Sequence, residues 1–373
     1  MAQDTTLALK RTPFHAMHVA LGGKIVPFAG YEMPVQYPTG IVAEHRAVRE
    51  GVGMFDVSHM GELEIRGPQA LDWVQHVVSN DASKIEVGQA QYAAICNERG
   101  GVIDDCITYR FADRYMIVVN ASNLEKDRAW IEGFADRFDA ALTDRSEEIA
   151  LIALQGPKAA AVLGRLTDAD LDTIGYYRFA EGAVGGRPAV ISRTGYTGED
   201  GFELYLGAED ASHVWRALLD AGHPEGILPA GLGARDSLRL EMGYALYGND
   251  LDEEHDAIES GLGWVVKPDK GEFSGRAALL RAKDAGPARR LVGFELKERG
   301  FPRHGYEIAH EGRVVGVVTS GVHSPSLDRG IGMGWVEAAL AKPGTAIDIV
   351  VRGKAVPAEV VRPPFYKHGS IRR

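Results

Sequence analysis

Two adjacent carboxylic acids, Asp104 and Asp105, sit inside the otherwise apolar run GGVIDDCITY. Read as a strand, the run alternates its side chains, so Ile103, Asp105 and Ile107 share one face while Val102, Asp104 and Cys106 share the other. An ionised carboxylate between two β-branched apolar residues must find a partner or hold its proton to higher pH. Paired acids are also poor strand formers, and a turn capped by both would account for them equally. If one of the two acts on a substrate, Asp105 is the candidate.

A second candidate lies in TGYTGEDGFELYL, residues 194–206. Three glycines punctuate a loop that enters a strand, in which Phe202, Leu204 and Leu206 face one side and Glu203 and Tyr205 the other. A glycine-rich loop lets a ligand approach the backbone, Tyr196 offers stacking or a hydroxyl, and Glu203 offers two acceptor oxygens. Those oxygens suit a planar N–C–NH2 edge such as that of an aminopyrimidine. A plain hairpin with surface acids remains the competing reading, and without GxxxxGK[ST] the loop is no phosphate cradle.

In AGLGARDSLRLEMGYALYGND, Arg235 and Arg239 stand four apart on one helical face, with Asp236 and Glu241 as available partners. They make either a surface ion-pair network or a fixed guanidinium fork for a carboxylate or carbonyl. GMFDVSHMGELEI, residues 53–65, places Asp56, Ser58 and His59 together. Neighbours on one strand cannot form a triad, and no GxSxG elbow occurs. Met60 reads as packing around something flat and apolar. Twelve histidines include no HExxH, and GIGMG at 330–334 lacks the strand–turn–helix context of a dinucleotide fingerprint.

These residues need a scaffold, and its elements are visible. Helical spacing links Ile41, Glu44, His45 and Val48; Leu71, Val74 and Val78 after Pro68; Trp130, Phe134 and Phe138; Val214 and Leu218; and Leu232, Arg235 and Arg239. Strands are expected over 101–109, 115–119, 149–154, 189–193 and 202–206. Beyond about residue 285, short β-rich runs at 290–296, 313–319, 346–351 and 358–361 alternate with turns. The expected fold is an α+β body followed by a small all-β barrel or sandwich.

Composition sets bounds on partners. The 373 residues are 45% hydrophobic and 25% charged, with formal net charge −11, so a uniformly basic nucleic-acid binder is not expected. The two cysteines, Cys96 and Cys106, cannot staple a secreted scaffold or build a four-ligand zinc set. MAQDTTLALKR lacks the basic-then-apolar order of a secretory leader, and no apolar run approaches the ~20 residues of a membrane span. A cytoplasmic chain is expected. Residues 267–373 hold 19 basic and 11 acidic residues, a net +8 against −19 for the rest. That segment would attract an anionic ligand tail or an acidic protein, unless it is simply a solvated basic face.

Taken together and in this order, FDVSHM, GGVIDD, GYTGEDGFE and GLGARDSLRLEMG with LYGND resemble the aminomethyltransferase (T-protein) family of the glycine cleavage system. The likeness extends from about Thr12 through TSGVHSPSL and PPFYK. It implies three domains in a cloverleaf-like arrangement around an opening for tetrahydrofolate. Two would be α+β, one from 1–50 with 140–266 and one from 51–139. A linker at 267–284 would lead to an antiparallel β-barrel at 285–373.

It also implies transfer of an aminomethyl carbon from the lipoyl arm of H-protein to tetrahydrofolate. Methylenetetrahydrofolate, ammonia and dihydrolipoyl H-protein would result. Matched by motif, Asp105 takes the catalytic position and Glu203 the pterin-holding one. Tyr196 and Tyr92 fall beside the folate, Arg235 on the folate side, and Met60 and Asn120 along the pocket wall. Asp104, Arg239 and Trp264 are further matches, and Cys106 departs from the leucine of many relatives. The implied partner is lipoylated H-protein, with other glycine cleavage components met indirectly. No metal, flavin, nicotinamide, nucleic acid or membrane is called for, and a monomer is expected.

Three other classes compete with this one. An iron–sulfur accessory relative would carry a KGCxxGQE-like stretch, which does not occur here. A sarcosine or dimethylglycine demethylase would need an attached flavin domain. A folate store would keep Glu203 and Tyr196 without needing Asp105.

Overall fold

The computed structural model describes residues 8–371, so the first residues of the MAQDTTLALKR stretch lie outside it. Among the described residues, the strands form a two-stranded hairpin, a six-stranded sheet, a five-stranded sheet and a closed six-stranded barrel. The six-stranded sheet runs Phe179–Val184, Arg187–Ser192, Gly201–Gly207, Ile149–Gln155, Gly53–Asp56 and Leu228–Pro229, with only its last pair parallel. The five-stranded sheet runs Gln89–Cys96, Val102–Arg110, Tyr115–Val119, Gly61–Arg66 and Ala141–Asp144.

Side-chain alternation decides how these layers stack. Phe202, Leu204 and Leu206 pack with Val214, Trp215 and Leu218 of the helix Ala211–Gly222 on the outer face of the first sheet. Leu63, Ile65, Cys106, Ile117 and Val119 pack with Trp73, Val74 and Leu124 on the outer face of the second. The opposite faces meet: Phe55, Ala153 and Tyr205 of one sheet share a cluster with Tyr109, Met116 and Val118 of the other. The helix Leu232–Glu241 closes this interlayer on one side with Ala234 and Leu238. Leu240 of the same helix meets Ile331, Met333 and Phe365 at the barrel.

The expected α+β body and antiparallel barrel are therefore both present, the barrel strands running from Arg289–Leu296 to Lys354–Val361. GIGMG lies within the barrel strand Arg329–Glu337. The segment 267–284 is anchored chain. Lys270 donates to the carbonyls of Gln75, Val78 and Asn80, and the helix Arg276–Ala285 buries Leu279.

Three details depart from the sequence reading. The helix carrying Trp130 spans Leu124–Glu132 and ends at Gly133. Phe134 and Phe138 flank a 3-10 turn instead, where they pack on His76 and Trp73. The strand expected at 313–319 continues to Ser324, because an irregularity between Val318 and Ser320 lets it bend without ending. Third, Ile103 does not share the face of Asp105. Cys96 pairs with Val102 but Ile95 pairs with Asp104, so Ile103 is an inserted bulge residue and joins the outer-face core with Cys106.

Candidate active site between the stacked sheets

Asp105 lies on the inner face of the strand Val102–Arg110, opposite Ala94. Two groups hold its carboxylate: the Tyr92 hydroxyl donates to Oδ2 at 2.9 Å, and the Asn120 side-chain amide donates to Oδ1 at 3.0 Å. Asn120 directly follows the neighbouring strand Tyr115–Val119, so strand pairing brings it there. Asp105 keeps partial contact with solvent while protein surrounds it. Burial first, and then the adjacent Asp104 charge, push its pKa up to about 7, outweighing the bonds from Tyr92 and Asn120. The outer face of Tyr92 stacks on the exposed ring of Trp264, with centroids 5.7 Å apart and planes 14° apart.

Glu203 projects from the inner face of Gly201–Gly207. Thr194 Oγ1 donates to it at 2.5 Å, and Thr194 belongs to a run of hydroxyls with Ser192, Tyr109 and Tyr205 that spans both sheets. Burial raises the Glu203 pKa, opposed by Thr194 and by the charge of Arg235. The Arg235 guanidinium lies 4.6 Å from the ring centroid of Tyr196. Tyr196 in turn stacks on Tyr244 and donates its hydroxyl to the Ala245 carbonyl. Phe55, Val57, Ala153, Gln155 and Thr197 complete a hollow with Tyr196, Glu203 and Arg235. The loop runs close against Gln155: a Cβ at Gly195 would stand 2.1 Å from Gln155 Oε1, so that amide would have to move.

The two groups lie within electrostatic reach of each other through Tyr196, although Asp105 does not line the hollow around Glu203. The Asp105 charge is felt at the Tyr196 hydroxyl, and Tyr196 is felt at Tyr92. Together the two groups offer a carboxyl that exchanges its proton near neutrality, a second carboxyl at the hollow, one guanidinium and aromatic walls. Met60 is half-buried against the interlayer cluster, outside the hollow around Glu203.

Arg235 and Arg239 have separate tasks. Arg239 is fully buried and binds Asp236, Asp250, the Tyr244 carbonyl and Ser320 of the barrel. Glu241 does not pair with either arginine. Its carboxylate binds Arg49, Ser324 and Ser326 and lies 3.4 Å from His45, because it emerges on the opposite side of the helix. Asp56 is bound by His18, Thr12 and the Ser58 backbone, while His59 packs edge-on against Phe28 and Tyr31, so no triad assembles. Among the described residues, no group of three or more His, Cys, Asp or Glu could hold a metal ion.

Sequence reasoning missed Gln155, Thr194 and the acid Asp127. Thr194 opens a motif already singled out, TGYTGEDGFELYL, without having been given a role of its own. Asp127, in LEKDRAWIE, is flanked by Lys126 and Arg128 and resembles an acid on a solvated helix face, yet it is fully buried beside Asp104.

Comparison with known proteins gives one consistent answer. A family model described as GCVT N-terminal domain matches residues 14–270, and one described as glycine cleavage T-protein C-terminal barrel domain matches residues 289–367. The chain is 51% identical to an aminomethyltransferase of Symbiobacterium thermophilum, covering 96% of this chain and 98% of the relative. It is 49% identical to one of Halothermothrix orenii, covering 96% and 100%. The crystal structure of glycine cleavage system aminomethyltransferase T from Bartonella henselae superposes with a TM-score of 0.92. It is 36% identical and covers 97% of this chain and 99% of its own.

Proposed function

Because the chain belongs to the glycine cleavage T-protein family of aminomethyltransferases, we propose that the space between its stacked sheets is where the aminomethyl carbon changes carriers. The activity is that of the glycine cleavage T-protein: the carbon leaves sulfur on the lipoyl arm of H-protein, passes to tetrahydrofolate, and its nitrogen departs as ammonia. Bound tetrahydrofolate supplies the amine that accepts the carbon. Its aminopyrimidine edge matches the acceptor capacity of Glu203, whose short bond to Thr194 leaves lone pairs facing the hollow. Tyr196, fixed by Tyr244, the Ala245 carbonyl and the Arg235 guanidinium, forms a rigid wall for a flat ring.

The observation that supports this reading best is the environment of Asp105. Positive, iminium-like character develops on the carbon as it leaves sulfur, and a carboxylate held in place beforehand stabilises that charge without reorganising. Tyr92 and Asn120 fix the two oxygens of Asp105 in this way. A pKa near 7 also lets Asp105 take up or return a proton as the nucleophilic nitrogen changes charge. The net +8 C-terminal segment would draw both the glutamate tail of the folate and an acidic H-protein. The test is ammonia release from aminomethylated H-protein, measured with and without tetrahydrofolate. Strict dependence on folate is expected, and equal release without it would overturn the reading.

A further inference from the structure

The acid behind the site is as informative as the acid within it. Asp104 is fully buried. Its Oδ2 accepts the Asn120 backbone N–H at 2.8 Å, and its Oδ1 accepts the side-chain amides of Asn120 at 2.8 Å and Asn123 at 2.7 Å. That same Asn120 amide nitrogen lies 3.0 Å from Asp105 Oδ1. The Asp105 carbonyl lies 3.2 Å from the same nitrogen. An amide carries two hydrogens, so one points to Asp104 and the other to Asp105, shared between its carboxylate and its carbonyl, and the first fixes the aim of the second.

Asp127, on the helix Leu124–Glu132, is likewise fully buried, and its side chain meets that of Asp104. Neither of its oxygens receives an N–H or O–H from another described residue. Two buried carboxylates in contact are both acceptors, so a proton must lie between them. Lys126 does not supply it, since its ammonium binds the Ile103 carbonyl, Tyr247 and Glu253. The other ionisable groups facing the pair are Asp105 and Cys106 on the strand and Tyr247.

We propose that Asp127 is a positioning residue of the aminomethyl-transfer site: a neutral acid that donates its O–H to Asp104 and keeps Asp104 as the anion that aims Asn120 at Asp105. This rests on the reading of Asp105 given above. Burial and the Asp104 charge push the Asp127 pKa up to about 11, which keeps its proton in place at neutral pH. Burial raises the Asp104 pKa on balance, against the bonds from Asp127, Asn120 and Asn123 that favour its charged form, and the Asp104 charge helps to raise Asp105.

The test compares pH profiles of kcat for Asp127→Asn, Asp127→Leu and Asp104→Asn in the full chain, with Asp105→Asn as control. An amide at 127 still donates, so Asp127→Asn should keep kcat and the acid limb of the profile within about twofold. Leucine removes the donor. Asp104 then protonates, ceases to push up Asp105, and the acid limb should move down by about one pH unit. The plateau kcat should also fall about tenfold as Asn120 loses its anionic anchor. If the leucine variant does not fold, Asp104→Asn reaches the same link from the other side and should shift the limb in the same direction. An Asp127→Asn enzyme crippled below half-maximal turnover, or unmoved limbs in the variants lacking the donor or the charge, would refute the proposal. An Asp105→Asn enzyme with normal turnover would instead refute the reading of the site beneath it.

Discussion

At the scale of single residues, the site concentrates groups held away from their ordinary protonation. Asp105 holds its proton to about pH 7, far above an unperturbed aspartate, so the native state binds that proton more tightly than the unfolded chain. The sign is therefore unfavourable: between about pH 4 and 7 this carboxylate makes folding less stable as pH rises. Asp105→Asn should raise stability at pH 8 by about 1 kcal/mol, read as a Tm a few degrees higher, while abolishing most turnover. A lower Tm would mean that the carboxylate supports the fold. Glu203→Gln should act on binding, since one acceptor oxygen and the charge are lost. The KM for tetrahydrofolate should rise about tenfold or more, with a smaller change in kcat. A kcat loss at unchanged KM would place the folate edge elsewhere.

At the scale of elements, alternation made the main features legible. Glu203 and Tyr205 do face away from Phe202, Leu204 and Leu206, because the strand Gly201–Gly207 pairs regularly on both sides. The face of Ile103 was not legible, because nothing in the residues around Cys96 marks the bulge opposite them. The hydroxyl run from Tyr205 through Tyr109 to Thr194 was hidden for another reason. It joins residues far apart in sequence, across two sheets whose stacking no local pattern states. Arg49 was also passed over, although it ties four elements together: it binds Glu241, Glu199 and the Thr197 carbonyl, with Tyr366 of the C-terminal tail 4.3 Å away. Burial alone would raise Glu241, but His45, Arg49 and Ser324 bring its pKa down to about 2. Its contribution is thus complete above about pH 5 and is lost as pH falls toward 2. Arg49→Ala takes the guanidinium from two buried carboxylates, leaving Glu241 to His45, Ser324 and Ser326 and Glu199 to Ser370, and should cost about 3–5 kcal/mol in denaturant unfolding. A loss below about 1 kcal/mol would show that the network relaxes.

At the scale of the whole molecule, two helix-covered sheets meet face to face and the helix Leu232–Glu241 links their interlayer to the barrel. Arg239 secures that link through Asp250 and Ser320. The basic excess lies in the segment that includes the barrel, and the acidic excess in the body. If this asymmetry draws H-protein, raising salt from about 0.05 to 0.3 M should increase the KM for H-protein several-fold and leave kcat nearly constant, as the Debye length shrinks from more than ~10 Å to less. A flat salt response would leave docking to uncharged contacts. The role proposed for Asp105, to meet the travelling carbon, is tested most directly by one comparison. Ammonia release from aminomethylated H-protein and tetrahydrofolate affinity are measured side by side for the unaltered chain and for Asp105→Asn. Turnover lower by about 10²-fold or more with folate affinity retained is the predicted result. Undiminished turnover, or turnover lost only in proportion to folate affinity, would contradict it.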